Sequence, residues 1–194
     1  MEEELAARTR DLGRSPLTLR HYLLPSSQNP MTSPSCLEAA RHLRGIYEKN
    51  LHLPVLEVQV RVESGGLLLK TAQEGPYGPA GAYLSNVSIG FLTGIERRVE
   101  IVSGEPLGTA SPENAANVWI HEGWARELGI QTGEAFSAQP VLQAVPIPVR
   151  VAGTWQALDL KDPFWPSSGD VALRTVLLVN PEDYPSHVEP FLAN

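Results

Sequence analysis

The sequence holds one cysteine, Cys36. That excludes an intrachain disulfide framework and a cysteine-rich zinc site. Lysine is scarce as well: it supplies three of the fifteen basic residues, against seventeen Glu among twenty-two acids. The formal charge of -7 disfavours nucleic acid as a partner, because phosphate binding needs a basic field. No run approaches the ~20 apolar residues of a spanning helix. The most hydrophobic tract, VALRTVLLV, has the length of a strand. The opening Met1-Glu2-Glu3-Glu4 is the opposite of a basic signal-peptide start.

Signatures of catalysis are missing too. His21, His42, His52, His121 and His187 fall at no metal-ligand spacing. His121-Glu122 begins like H-E-x-x-H, but Ala125 stands where the second His would be. His121 therefore reads as the end of a strand and Glu122 as the start of a helix. No G-x-S-x-G elbow and no glycine-rich phosphate loop occur. Cys36 sits in the first turn of a helix, where the dipole lowers a thiol pKa, yet it also begins the apolar stripe and reads as structural. Asp159, Asp162 and Asp170 share one loop without the order of a calcium site, and read as turn or solvated acids. The expectation is no catalytic, cofactor or metal residue.

What is present is 194 residues of which 42% are hydrophobic, enough for one domain with a core. Sixteen Gly and seventeen Pro punctuate many short elements. Residues 1–13 read as a polar helix and SPLTLRHYLL as a strand. Ser35-x-x-Glu38 forms a capping box before a helix whose stripe is Cys36, Ala40, Leu43 and Tyr47. LPVLEVQVRVE and LLLKTA read as a hairpin turning at Gly65-Gly66. Residues 73–83 form a Gly/Pro-rich loop carrying Tyr77 and Tyr83. RRVEIVSG and NVWIH read as strands, EGWARELG as a two-turn helix stopped by Gly129, and GEAFSAQ, IPVRVAGTW and TVLLVN as further strands. TVLLVN has the pattern of a strand covered on both faces.

The order of pieces from residue 97 to 179 resembles the extracytoplasmic, MacB-like periplasmic core domain of FtsX-family ABC transporter permeases. The matching positions are Gly104 and Pro106 in a turn after a strand. Ala125, Leu128, Gly129 and Gly133 follow in a helix-stop-and-turn segment. Val149, Val151 and Gly153 lie on a strand, and Asp162, Pro163 and Trp165 lie in D-P-F-W. Glu105 and Glu134 depart from the family's usual Arg and Asp. The resemblance implies a non-catalytic domain on the extracytoplasmic face of a bacterial cell membrane, joined at both ends to membrane helices. Its implied partners are a cytoplasmic ATP-binding subunit, a second permease subunit, and a cargo, lipoprotein or periplasmic protein. It implies a role in engaging that partner and transmitting ATP-driven motion. A free-standing hydrolase using the Asp159–Asp170 loop, or a soluble ligand-binding module, is the alternative.

The expected fold is α+β: a mixed sheet of two β-α-β-type units, porter-like, with a smaller inserted β-rich subdomain. A single domain over 1–194 is expected, with 14–72 and 97–180 as one subdomain and 73–96 as a connecting region. Loops 73–83 and 157–172 are the expected partner contacts, with Tyr77, Tyr83 and Trp155 as contact residues.

Overall fold

The computed structural model describes residues 18–23, 31–51, 55, 57–140, 145–165 and 169–192. The polar helix expected over 1–13 lies outside them. In chain order the elements are α1 (Ser33–Leu51), β1 (Arg61–Glu63), β2 (Leu67–Thr71), β3 (Tyr83–Leu92), β4 (Val99–Gly104), β5 (Ala116–His121), α2 (Glu122–Leu128), β6 (Ala135–Pro140), β7 (Ile147–Ala157), β8 (Val176–Val179), α3 (Tyr184–His187) and α4 (Glu189–Leu192), with 3-10 turns at Ile95–Arg97 and Gly169–Leu173.

These strands close a barrel, and the expected α+β sheet of two β-α-β units is not formed. Six strands make a ring in the order β3, β2, β6, β7, β5, β8 and back to β3. The β5–β7 and β3–β8 pairs are parallel and the other four are antiparallel. β1 and β4 are extra strands laid on β3 and β7. The difference turns on two long strands. β3 and β7 each carry two antiparallel partners along one edge, β2 then β1 and β6 then β4, and one parallel partner on the other. A strand that serves three neighbours needs room for the third, and both make that room at glycine. A Cβ on Gly90 would lie 2.3 Å from the Val62 carbonyl oxygen, and one on Gly153 would lie 2.7 Å from that of Ser103. In the sequence Gly90 reads as a break between short apolar pieces. It is instead the point where a continuous strand lets β1 approach.

The pairing has a two-fold pattern. Exchanging β3 with β7, β2 with β6, β8 with β5 and β1 with β4 leaves every pairing in place. Backbone details repeat as well. Ser64 N–H donates to the Ile89 carbonyl just after β1, and Glu105 N–H donates to the Ala152 carbonyl just after β4, both at 2.8 Å.

Residues 83–92, expected in a connecting region, are thus a barrel strand. The expected hairpin at Gly65-Gly66 does not exist, because β1 pairs with β3 and not with β2. Buried Ser64 makes the crossing: its Oγ accepts the Ile89 N–H at 2.9 Å. Residues 18–23, expected as part of a strand, carry no regular structure.

Two apolar clusters divide the strand faces. One draws on all six ring strands and fills the barrel, with Ile89, Val118, Ala138, Ile147, Val149 and Leu177 among its members. The other lies outside β5, β7 and β8, and is built from Trp119, Trp155, Phe164, Trp165, Leu173 and Leu178. Strand β8 therefore buries all four residues, as its composition predicts. In β5, Trp119 is fully buried, and its Nε1 donates to the Glu105 carbonyl at 2.8 Å.

Candidate functional site

Residues 158–165 and 169–175, the described parts of the link between β7 and β8, carry the site. Asp159 and Asp162 fold the first part into consecutive turns. Asp159 accepts the Lys161 N–H at 2.9 Å, Asp162 accepts the Phe164 N–H at 2.9 Å, and the Asp159 carbonyl accepts Trp165 Nε1 at 2.9 Å. These are Asx-type turns, in which a short carboxylate satisfies a nearby backbone donor. Arg98, at the entry to β4, pairs with Asp162, and its guanidinium lies 5.5 Å from the Phe164 ring centre. Gln59 Nε2 donates to the Phe164 carbonyl at 3.2 Å.

Beneath these turns the aromatic rings lock together. Trp165 stacks on Trp155 at 6.2 Å with an 8° interplanar angle, and Phe164 meets Trp165 edge-on at 5.0 Å. The second part of the linker is held separately. His121 Nε2–H donates to Asp170 Oδ2 at 3.1 Å, and Arg61 donates to the Ala172 carbonyl at 3.1 Å. Leu173 is buried beneath it.

With Phe164, Trp165 and Leu173 turned inward, three apolar side chains of the same linker face water. Leu158, Leu160 and Val171 are 60%, 61% and 64% exposed.

The three acids do not converge on a reaction centre. Asp159 serves a backbone N–H, Asp162 serves Arg98 and a backbone N–H, and Asp170 serves His121. The His121–Asp170 pair has the outline of a catalytic dyad, but both ring nitrogens are engaged. Nδ1 accepts the Gly123 N–H at 3.1 Å, which makes His121 the N-cap of α2 and assigns the proton to Nε2. The Glu122 carboxyl is held below the usual carboxylate range by the Thr154 hydroxyl and then by the Arg126 guanidinium. The hydroxyl stands close enough to act electrostatically, yet makes no regular hydrogen bond. Burial, and then Glu189, pushes the Cys36 thiol up, the opposite of an activated nucleophile. Among the described residues no group of three or more His, Cys, Asp or Glu is placed to hold a metal ion.

The expected contact residues separate. Trp155 is fully buried and belongs to the aromatic core. Tyr77 is a clamp: its hydroxyl bridges the Gly129 carbonyl and Glu134 Oε2, both at 2.7 Å, and so fastens loop 73–83 to the turn between α2 and β6. Burial first, and then the Glu134 carboxylate, push its pKa up to about 12. Only Tyr83, 55% exposed, faces solvent.

The motif positions take structural work. Gly104, Gly129 and Gly133 have φ of 92°, 75° and 90°, the left-handed region that glycine favours. Pro106 accepts the Thr109 N–H in the next turn, at 3.1 Å, and is exposed. Ala125 is buried and Leu128 half-buried on the barrel core. Gly153 admits β4, Asp162 and Trp165 shape the linker, and Pro163 is exposed between them. Sequence reasoning named this linker but not its exposed apolar trio, and it read Gly90 as a break rather than as a point of strand approach. The signal for the trio was there, as Leu158, Leu160 and Val171 alternate with turn-forming acids.

Comparison with family models, with curated proteins and with solved structures gave no match to this chain. No helix of the described residues is long and apolar enough to cross a membrane.

Proposed function

We propose that the chain is a non-catalytic module that engages a protein partner through the linker between β7 and β8. Its setting in this proposal is the extracytoplasmic part of an ABC transporter permease. The observation that supports partner engagement is the outward trio of Leu158, Leu160 and Val171, on a segment that buries Phe164, Trp165 and Leu173. A contact surface held in one shape loses little conformational entropy on binding. In this setting a cytoplasmic ATP-binding subunit drives membrane helices joined to the chain. The barrel passes that motion as a rigid body to cargo, lipoprotein or a periplasmic partner, beside a second permease subunit. The transporter setting is supported by the order of motifs from 97 to 179 alone. The same residues also serve barrel turns.

Two experiments separate the parts. The reading frame around this chain is expected to encode apolar segments of about 20 residues on both sides, and a frame without them removes the membrane setting. Replacing Leu158, Leu160 and Val171 with Ser is expected to change stability by no more than about 0.5 kcal/mol per site. In the full-length transporter the same change is expected to abolish partner-dependent stimulation of ATPase activity. Unchanged stimulation would remove the linker as the contact.

A further inference from the structure

The two-fold pattern exposes an asymmetry in how the barrel is completed. In the second half, residues 105–134 run from β4 through β5 and α2 to β6. In the first half only Ser64, Gly65 and Gly66 separate β1 from β2. The strand equivalent to β5 is absent from that stretch of chain. The slot it leaves, between β3 and β5, is filled by β8, with the Ser88↔Val176 and Val118↔Val179 pairs on its two sides. The closing segment then continues into α3 and α4, much as β5 continues into α2.

The ties of this segment run almost entirely to the barrel body. Asn180 Nδ2 donates to the Gly108 carbonyl at 3.0 Å, and the Ser111 N–H donates to Asp183 Oδ2 at 2.7 Å. The Ser33 N–H donates to Glu189 Oε1, and Tyr184 meets Phe91 edge-on at 5.5 Å. The linker divides in the same way. Asp162 is fastened to Arg98 near the body that β7 belongs to, whereas Asp170 and Ala172 are fastened to His121 and Arg61 beside the slot. Extended chain spans roughly 3.3–3.6 Å per residue. Residues 158–175 are therefore long enough to carry β8 to another molecule.

We propose that residues 173–192 form an exchangeable closing element, so that the slot between β3 and β5 accepts the segment of a second copy of this chain and yields a strand-swapped dimer. The β8 pairings and the tail contacts of the closed monomer are re-formed between the two copies, and what is given up lies in the turns of the linker itself. This is why exchange is a low-cost route to a dimer. The inference does not depend on the transporter setting.

The test uses two full-length chains in a Cys36→Ser background, one with Val118→Cys and isotopically labelled, the other with Val179→Cys. Opposed residues of antiparallel strands have Cα atoms about 4.5–5.5 Å apart, within disulfide range. Refolded together from denaturant at high protein concentration, they are expected to give a disulfide-linked species of twice the monomer mass with one labelled and one unlabelled chain. Its yield should fall on dilution of the refolding mixture. The unsubstituted chain refolded in parallel is expected to show the same doubling of mass by native mass spectrometry. An unsubstituted chain that refolds only to monomer at every concentration overturns the proposal. So does a dimer from the mixed chains that carries no link between positions 118 and 179.

Discussion

Gly90 and Gly153 hold equivalent places on β3 and β7, and the space at each is already taken by a backbone carbonyl. Gly90→Ala and Gly153→Ala are each expected to lower stability by about 3 kcal/mol, the upper range for overpacking a core, as measured by thermal or denaturant unfolding. Gly133→Ala is the contrast. Its φ is 90° but nothing lies within 4 Å of an added Cβ, so only backbone strain of about 1–2 kcal/mol is expected. Sequence order singled out Gly153 and read Gly90 as a break, because a glycine amid apolar residues looks the same whether it breaks a strand or admits a neighbour. Tyr77→Phe deletes the hydroxyl whose one hydrogen is shared between the Gly129 carbonyl and Glu134, and should cost about 1–2 kcal/mol. With the Tyr77 pKa raised to about 12, folding favours the protonated phenol. Its contribution is complete below the unfolded value of about 10 and is lost as pH rises through about 12. The loss of stability from pH 9 to pH 12 should therefore be shallower in Tyr77→Phe than in the unsubstituted chain.

Elements were legible where a local signal agreed with the tertiary one. The stop of α2 at Gly129, the alternation of β7 and the apolar run of β8 all stand as the sequence predicts. The start of α1 differs in detail. The reciprocal cap is made by Thr32 and Ser35, whose side chains exchange bonds with each other's N–H, and not by Ser35 and Glu38. Serine at N3 does there what Glu does in a capping box. Pairing was not legible, since β1 and β2 carry hairpin signals but each finds β3. Nothing in a short strand names its partner when a long-range edge competes with a nearby turn. α1 itself is a helix fastened at one end. Leu37 packs on the barrel core, whereas Ile46 is 40% exposed and Leu43 and Tyr47 are only half-buried. Amide hydrogen exchange should show residues 43–51 exchanging far faster than β5 and β7, whose protection should approach global stability. Equal protection would show that α1 is as firmly held as the barrel.

At the scale of the whole molecule, closure was the hidden property. It depends on parallel pairs, β3 with β8 and β5 with β7, between segments far apart in the chain, and no local pattern encodes them. The two extra strands show how the open edges are managed. β1 is three residues long with charged Arg61 and Glu63, and β4 carries a register shift between Ile101 and Ser103 and an exposed Glu100. Short, charged and irregular edges resist pairing with other chains. Uncontrolled aggregation through β1 or β4 is accordingly not expected, and dye-binding assays of fibril formation at neutral pH should stay flat. The near-parallel stack of Trp155 and Trp165 has an optical consequence. Two indoles so arranged couple their electronic transitions, and all four tryptophans of the chain are buried. The folded chain should fluoresce at shorter wavelength than the unfolded chain and show a circular-dichroism band from the coupled pair. Removing Trp165 alone should erase that band, so light reports whether the linker is seated on the barrel.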